Sequence, residues 1–303
     1  MAAHPKALTA CLRACLALAL VAALAAAPRD HQVAAPPAHP IARVISLVPN
    51  VTEMIYAIGE GNRVVAVSSY DTFPPEVKTL PSVGALLDPN LEKILSLKPD
   101  LVVTYGSQVD LAKQLEKAGI RVFPYRHAGL AGVTATIREL GTALSAAPAA
   151  ETVARTIETG LDGIRERVRG RGRPVTLLVF GRERLSLRGI YASGGIGFLH
   201  DMLEAAGGTN VFSDVKTESV QASTEQIIAR QPDVILEVRA TNSAFPAGDA
   251  ETERRIWSAL GSVPAVRNGR VRFLFDDRIV IPGPRLVEGT REIARALHPD
   301  AFK

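Results

Sequence analysis

The segment Leu91-Glu92-Lys93-Ile94-Leu95-Ser96-Leu97-Lys98-Pro99-Asp100-Leu101-Val102-Val103 returns later in the chain as Thr224-Glu225-Gln226-Ile227-Ile228-Ala229-Arg230-Gln231-Pro232-Asp233-Val234-Ile235-Leu236. Glu, Ile, Pro and Asp repeat at a constant offset of 133 positions, with an apolar run after each Asp. Each copy predicts a short amphipathic helix that stops before the proline, because the residue preceding proline is pushed out of the helical region, and then a buried strand. A second echo pairs Met54, Ala57, Gly59 and Asn62 with Met202, Ala205, Gly207 and Asn210 at an offset of 148. The offsets differ, so two lobes are expected that are related without being identical.

Short β-branched runs alternate with helical stretches on either side of the first copy. Arg43–Leu47, Arg63–Val67, Leu101–Thr104 and Arg121–Phe123 read as strands, and Val51–Ile58, Leu91–Leu97, Val109–Ala118 and Val133–Leu144 as helices. Pro148 to Arg169 differs: apolar Val153, Ile157, Leu161, Ile164 and Val168 recur at spacings of three and four, which predicts one long helix ended by Gly170-Arg171-Gly172-Arg173-Pro174. The alternation resumes with strands at Val175–Phe180, Val234–Val238 and Val271–Phe275 and helices at Ile196–Ala205 and Arg285–Leu297. The fold class is therefore α/β: two similar lobes with central, mainly parallel sheets, joined by one long rigid helix, with a ligand cleft between them. A single helix packed along both lobes resists bending and predicts small relative motion. The expected divisions are a signal segment (1–25), a flexible leader (26–41), an N-terminal lobe (42–147), the linking helix (148–170) and a C-terminal lobe (171–303).

The 303 residues are 47% hydrophobic and 22% charged, a globular balance. The net charge of +4 is mild and its basic residues are scattered, which argues against a nucleic-acid partner. Lys6 and Arg13 precede an unbroken apolar run, Ala14 to Ala27, too short for a bilayer span but suited to a secretory signal. Ala23-Leu24-Ala25 offers a cleavage site before Ala26. An uncleaved anchor is the alternative. Both cysteines, Cys11 and Cys15, lie in this segment, so a cleaved chain has neither a disulfide nor a thiolate site. Leu8-Thr9-Ala10-Cys11 mimics a lipoprotein box, but the apolar run follows it instead of preceding it, and lipidation is not expected.

Catalytic signatures are missing from the sequence: it has no Gly-x-Ser-x-Gly elbow, no phosphate-binding Gly-x4-Gly-Lys loop and no His-Glu-x2-His zinc helix. Gly194-Gly195-Ile196-Gly197 before a helix reads as a tight turn, with an anion nest as the alternative. His127, His200 and His298 are far apart and lack ligand spacing, so no resident metal and no catalytic residue are expected.

Val44–Met54, Ser68–Pro75, Asn90–Ile94, Leu97–Val103 and Pro282–Glu288 resemble the periplasmic binding proteins of ABC importers for vitamin B12, ferric siderophores and haem, and most of all the cobalamin-binding branch. The likeness runs from about Arg43 to Phe302. It implies a monomer in the periplasm that captures a bulky metal chelate, cobalamin or a related corrinoid, and delivers it to a permease dimer driven by its ATPase. The alternatives are a ferric siderophore or haem as ligand and, outside this class, an exported α/β enzyme. No cofactor of its own is implied, since any metal arrives inside the ligand. The resemblance assigns permease docking to Glu92 and Glu225, the pair the internal repeat had singled out; a carboxylate at a helix start also complements the macrodipole. It marks Tyr70, Leu86, Tyr105, Tyr191, Asp277 and Arg278 for the ligand, with Tyr191 leading a glycine-rich turn. Arg182, Arg184 and Arg285 could also face anionic groups. One departure weakens cobalamin in particular. Tryptophans are common in the clefts of that branch, whereas the sole tryptophan here, Trp257, is placed on a peripheral helix and Leu86 takes the position open to one in the cleft.

Overall fold

The computed structural model describes residues 40–241 and 250–303; the expected signal, most of the leader and both cysteines lie outside the described residues. The N-terminal lobe is built on four parallel strands, β1 (Val44–Ser46), β2 (Val64–Val67), β3 (Leu101–Tyr105) and β4 (Arg121–Tyr125), in the order β2-β1-β3-β4. Strand β3 is buried through Leu101, Val102, Val103 and Thr104, the continuous burial that a parallel strand covered on both faces requires. Its covering helices are α1 (Pro49–Ala57), α2 (Leu91–Ser96), α3 (Val109–Lys117) and α4 (Leu130–Ala143).

Helix α5 (Ala147–Val168) then runs 22 residues, about 33 Å at 1.5 Å per residue. Pro148 opens it, and Ala150, Ala154, Ile157, Leu161, Ile164 and Val168 form its buried stripe. Arg165, Arg167, Arg169, Arg171 and Arg173 alternate through its end and the following turn, so the basic residues are less scattered than the composition suggests. Most of that charge is matched: Arg165 pairs with Asp162, Arg169 with Glu166 and Arg173 with Glu204, while Arg167 lies 5.3 Å over the Phe302 ring.

The C-terminal sheet has the order β10-β9-β5-β6-β8, formed by β5 (Val175–Gly181), β6 (Ile190–Ser193), β8 (Ser219–Ala222), β9 (Val234–Arg239) and β10 (Val271–Phe275), with β7 (Thr209–Asn210) added to β5. Pairs β5–β9, β9–β10 and β5–β7 are parallel; β6 and β8 are antiparallel additions that the sequence reading did not contain. Helices α6 (Phe198–Ala205), α7 (Thr224–Arg230), α8 (Ala250–Trp257), α9 (Pro264–Arg267), α10 (Asp277–Val280) and α11 (Leu286–Leu297) complete the lobe. Among the described residues, no helix is long and apolar enough to cross a membrane.

The two copies of the repeat occupy equivalent places. Glu92 and Glu225 each take the second position of a helix, Ile94 and Ile227 are buried under them, and the residues before the prolines, Lys98 and Gln231, share a left-handed backbone with φ of 48° and 47°. Burying each isoleucine contributes about 1.5–3 kcal/mol.

Polar and ring contacts among the described residues tie the lobes together beside α5. Asp201 of α6 accepts the Leu130 N–H at 2.9 Å, capping α4, whose own N-cap, Gly129, has no side chain to do so. A Cβ at Gly129 would stand 2.1 Å from the Asp201 carboxylate and push this cap aside. Arg285 donates to Glu53 at 2.8 Å and stacks 3.8 Å above the Phe73 ring, and Asn50 donates to the Pro282 carbonyl at 3.2 Å.

Candidate functional site

Parallel sheets direct the ends of their strands toward one edge, and the side chains that follow β2, β3 and β4 gather at the carboxyl edge of the N-terminal lobe. After β2, the Asp71 carboxylate accepts from the Ser68 N–H at 2.9 Å and from its hydroxyl at 2.6 Å, while the Tyr70 N–H donates to that hydroxyl at 3.2 Å. This tight turn leaves the Tyr70 ring 73% exposed. Burial pushes the Asp71 carboxyl up, against the Ser68 bonds that lower it. Gln108 links two further candidates, accepting from the Tyr105 N–H at 2.9 Å and donating to the Leu86 carbonyl at 3.1 Å. The Ser69 N–H donates to the Gly84 carbonyl, so the segments carrying Tyr70, Leu86 and Tyr105 are bonded to one another.

Tyr125 and His127 complete this edge; the sequence did not mark Tyr125, and His127 was weighed as a metal ligand without being assigned to the cleft. Tyr125 lies edge-on to Tyr105 with ring centres 6.4 Å apart and to His127 at 5.1 Å. Burial pushes the Tyr125 phenol up to about 12, and desolvation lowers the His127 imidazole. Together with Tyr105 and Arg126 these residues line a cavity of about 370 Å³.

The C-terminal lobe offers an apolar cavity of about 460 Å³ lined by Phe180, Ile196, Phe198, Leu199 and Val280, with Glu218 and Arg239 as its charged members. Tyr191 packs on Phe180 at 6.5 Å and is 45% exposed; it belongs to strand β6, not to a turn, because its neighbours pair with β5 and β8. The Glu218 charge acts on both Tyr125 and His127, so this member of the C-terminal cavity lies within electrostatic reach of the N-terminal one.

The glycine-rich motif proves to be a bed for the segment that carries Glu218. Gly195 N–H donates to the Val215 carbonyl at 2.7 Å and Gly194 N–H to the Glu218 carbonyl at 3.0 Å, so these amides hold backbone and not an anion. A Cβ at Gly194 would stand 2.0 Å from the Thr217 carbonyl oxygen, which explains the glycine.

Asp277 accepts from the Thr241 N–H at 2.9 Å and hydroxyl at 2.7 Å, and its charge reaches Glu53 at the lobe junction. Arg278 is held by Asp276 through bonds of 2.6–3.1 Å, which engages much of its donor capacity. Arg285 is committed to Glu53 and Phe73. Arg184 is half exposed and lies 3.9 Å from Glu253.

Arg182 departs furthest from expectation. Its side chain is fully buried, bonded to Glu237 at 3.0 Å and Glu253 at 2.7 Å, with Arg239 and the indole N–H of Trp257 also on Glu237. A buried cation needs paired anions to offset its desolvation, so Arg182 is structural and faces no ligand. Trp257, placed on a periphery by its helix, is fully buried in the core of this lobe. Glu92 and Glu225 stand exposed at the starts of α2 and α7, which are capped by Asn90 and by a Ser223–Gln226 capping box. The Ser223 hydroxyl holds the Glu225 carboxyl below its ordinary range. Among the described residues no cluster of three His, Cys, Asp or Glu could hold a metal ion.

This geometry has relatives. The chain is 34% identical over 266 residues to an uncharacterized ABC transporter substrate-binding lipoprotein, YvrC, of Bacillus subtilis, covering 86% of this chain and 81% of that one. It is 30% identical over 257 residues to the vitamin B12-binding protein of Salmonella typhimurium, covering 84% and 90%. The structure of the periplasmic haem-binding protein RhuT from Roseiflexus sp. RS-1 superimposes with a TM-score of 0.72 at 28% identity, covering 86% and 98%. With the periplasmic binding protein model matching residues 44–277 as well, the chain belongs to the periplasmic binding protein family.

Proposed function

We propose that this chain is the exported solute-binding component of an ABC importer, capturing cobalamin or a related corrinoid between its lobes and handing it to a membrane permease. The observation that carries the reading is a cavity with aromatic lining on each lobe, with Tyr105, Tyr125 and His127 in one and Phe180, on which Tyr191 packs, in the other. Aromatic faces match the plane and apolar rim of a large macrocycle. Tyr70, Leu86, Asp277 and Arg278 take part at the rim in this reading. The name of the Salmonella relative supports the corrinoid, and that of the Roseiflexus structure keeps haem as the second ligand, with a ferric siderophore as the third.

Glu92 and Glu225 dock to the permease in this proposal. They are two carboxylates at equivalent positions of one chain, which a twofold-symmetric partner can grip together. The chain acts as a monomer, performs no chemistry and carries no metal of its own. Equilibrium binding of cyanocobalamin, cobinamide, haem and a panel of ferric siderophores to the purified chain tests the reading. Binding of none of them would return the exported-enzyme class to consideration.

A further inference from the structure

We infer that Glu218 sets the ligand class of the cleft by reading hydrogen-bond donors on the ligand rim, selecting a macrocycle edged with primary amides over one edged with carboxylates. The inference rests on the proposed solute-binding role.

Three observations carry it. First, the other acids and bases near the C-terminal cavity are matched internally: Arg239 to Glu237, Arg278 to Asp276, and Asp277 to Thr241. The Glu218 carboxylate is different, having no hydrogen bond or ion pair among the described residues although it lines the 460 Å³ cavity. Second, Glu218 is held in place. Its carbonyl accepts from Gly194, its neighbour Ser219 pairs in β8, and its side chain lies over Gly197, where a Cβ would come within 3.2 Å of its Cγ. Third, Arg126 lines the N-terminal cavity and likewise has no partner among the described residues.

An ionised carboxylate accepts hydrogen bonds and donates none, whereas a guanidinium only donates. A ligand spanning both cavities must therefore present donors at one end and acceptors at the other. A primary amide supplies both, so a rim of amides satisfies Glu218 and Arg126 in any rotation of the macrocycle. A carboxylate satisfies Arg126 alone and meets like charge at Glu218, and an amine does the reverse. Corrinoids carry peripheral primary amides and haem carries carboxylates, so the pair of unmatched charges favours the corrinoid.

The test compares wild type, Glu218→Gln and Glu218→Ala for binding of cyanocobalamin, dicyanocobinamide and haem at one pH and ionic strength, with circular dichroism as the folding control. Loss of a charge-assisted hydrogen bond is expected to weaken corrinoid binding about tenfold in Glu218→Ala and less in Glu218→Gln, whose amide oxygen still accepts. Haem binding should strengthen in both. Movement in opposite directions is something a merely structural role does not produce. If both ligands weaken together, or neither changes while the wild type binds corrinoid, Glu218 is not the selector and the solute-binding reading stands. Wild type that prefers haem, or that binds only a ferric siderophore, also overturns the inference alone; wild type that binds none of the three and no ferric siderophore overturns both.

Discussion

Asp100 and Asp233 anchor the first strands of their respective sheets by the same bond. The Asp100 carboxylate accepts from the Ala42 and Arg43 N–H groups at 2.8 Å, just before β1, and the Asp233 carboxylate accepts from the Val175 N–H at 2.9 Å, where β5 begins. Each Asp also donates its own N–H to the anchored strand, to the Arg43 and Val175 carbonyls. The Pro-Asp of the repeat thus ends a helix, starts a strand and fixes that strand to its neighbour.

Removing either anchor should therefore act alike. Asp100→Ala and Asp233→Ala are each expected to lower unfolding free energy by about 1.5–3 kcal/mol, the range for a hydrogen bond to a charged group, and the Asn variants by less. The Ala42 and Arg43 amides hold the Asp100 carboxyl below its ordinary range. A lowered pKa in the folded state contributes stability that is full above about pH 4 and lost as the pH falls through the folded value. Urea titrations between pH 3 and 7 should show that acid-sensitive part missing from Asp100→Asn.

The Glu53–Arg285 pair predicts the opposite slope. Burial raises the Glu53 carboxyl, aided by the charges of Asp71 and Asp277, and the Arg285 bonds offset this only in part. The folded state then binds the proton more tightly than the unfolded one. That contribution is full below about pH 4.3 and disappears as the pH rises through the raised value. Glu53→Gln should flatten the stability profile just above pH 4.3. Arg285→Ala, which strands a buried carboxylate, should cost about 3–5 kcal/mol at pH 7 by thermal or urea unfolding.

At the lobe junction, Asp201→Ala removes a helix cap supplied from the other lobe. A loss of about 1 kcal/mol is expected, together with faster hydrogen exchange at the Leu130 amide. Unchanged exchange at Leu130 would show that the cap does not hold α4 in solution.

Docking has its own variant pair. Glu92→Ala combined with Glu225→Ala should leave ligand affinity within about twofold, because neither carboxylate lines the two cavities, and should weaken association with the permease in reconstituted membranes. Undiminished association would remove the role proposed for the repeated acids.

The parallel framework was legible because its strands are continuous apolar runs and its long helix keeps one buried stripe over 22 residues. The β6–β8 ribbon was not, because Ser219 and Gln221 alternate outward on a four-residue strand and leave no apolar run to notice. Tyr125 was lost at Pro124. A proline suggests a strand end, but β4 is the edge of its sheet, where proline is tolerated and pairing continues to Tyr125. The burial of Arg182 depends on Glu237, Glu253 and Trp257, all more than fifty positions away, so no local pattern announces it. Tyr125, His127 and Glu218 had one available signal, their nearness to strand ends and to the glycine-rich turn.

The β6–β8 ribbon has no counterpart among the described strands of the N-terminal lobe. A twofold partner that recognised only Glu92 and Glu225 would accept this chain in either of two seatings, half a turn apart and equal in energy. The ribbon and the Glu218 segment at its edge make the two ends of the molecule different in shape and charge. They are the features through which such a partner could tell one seating from the other, and so define a single orientation for ligand transfer.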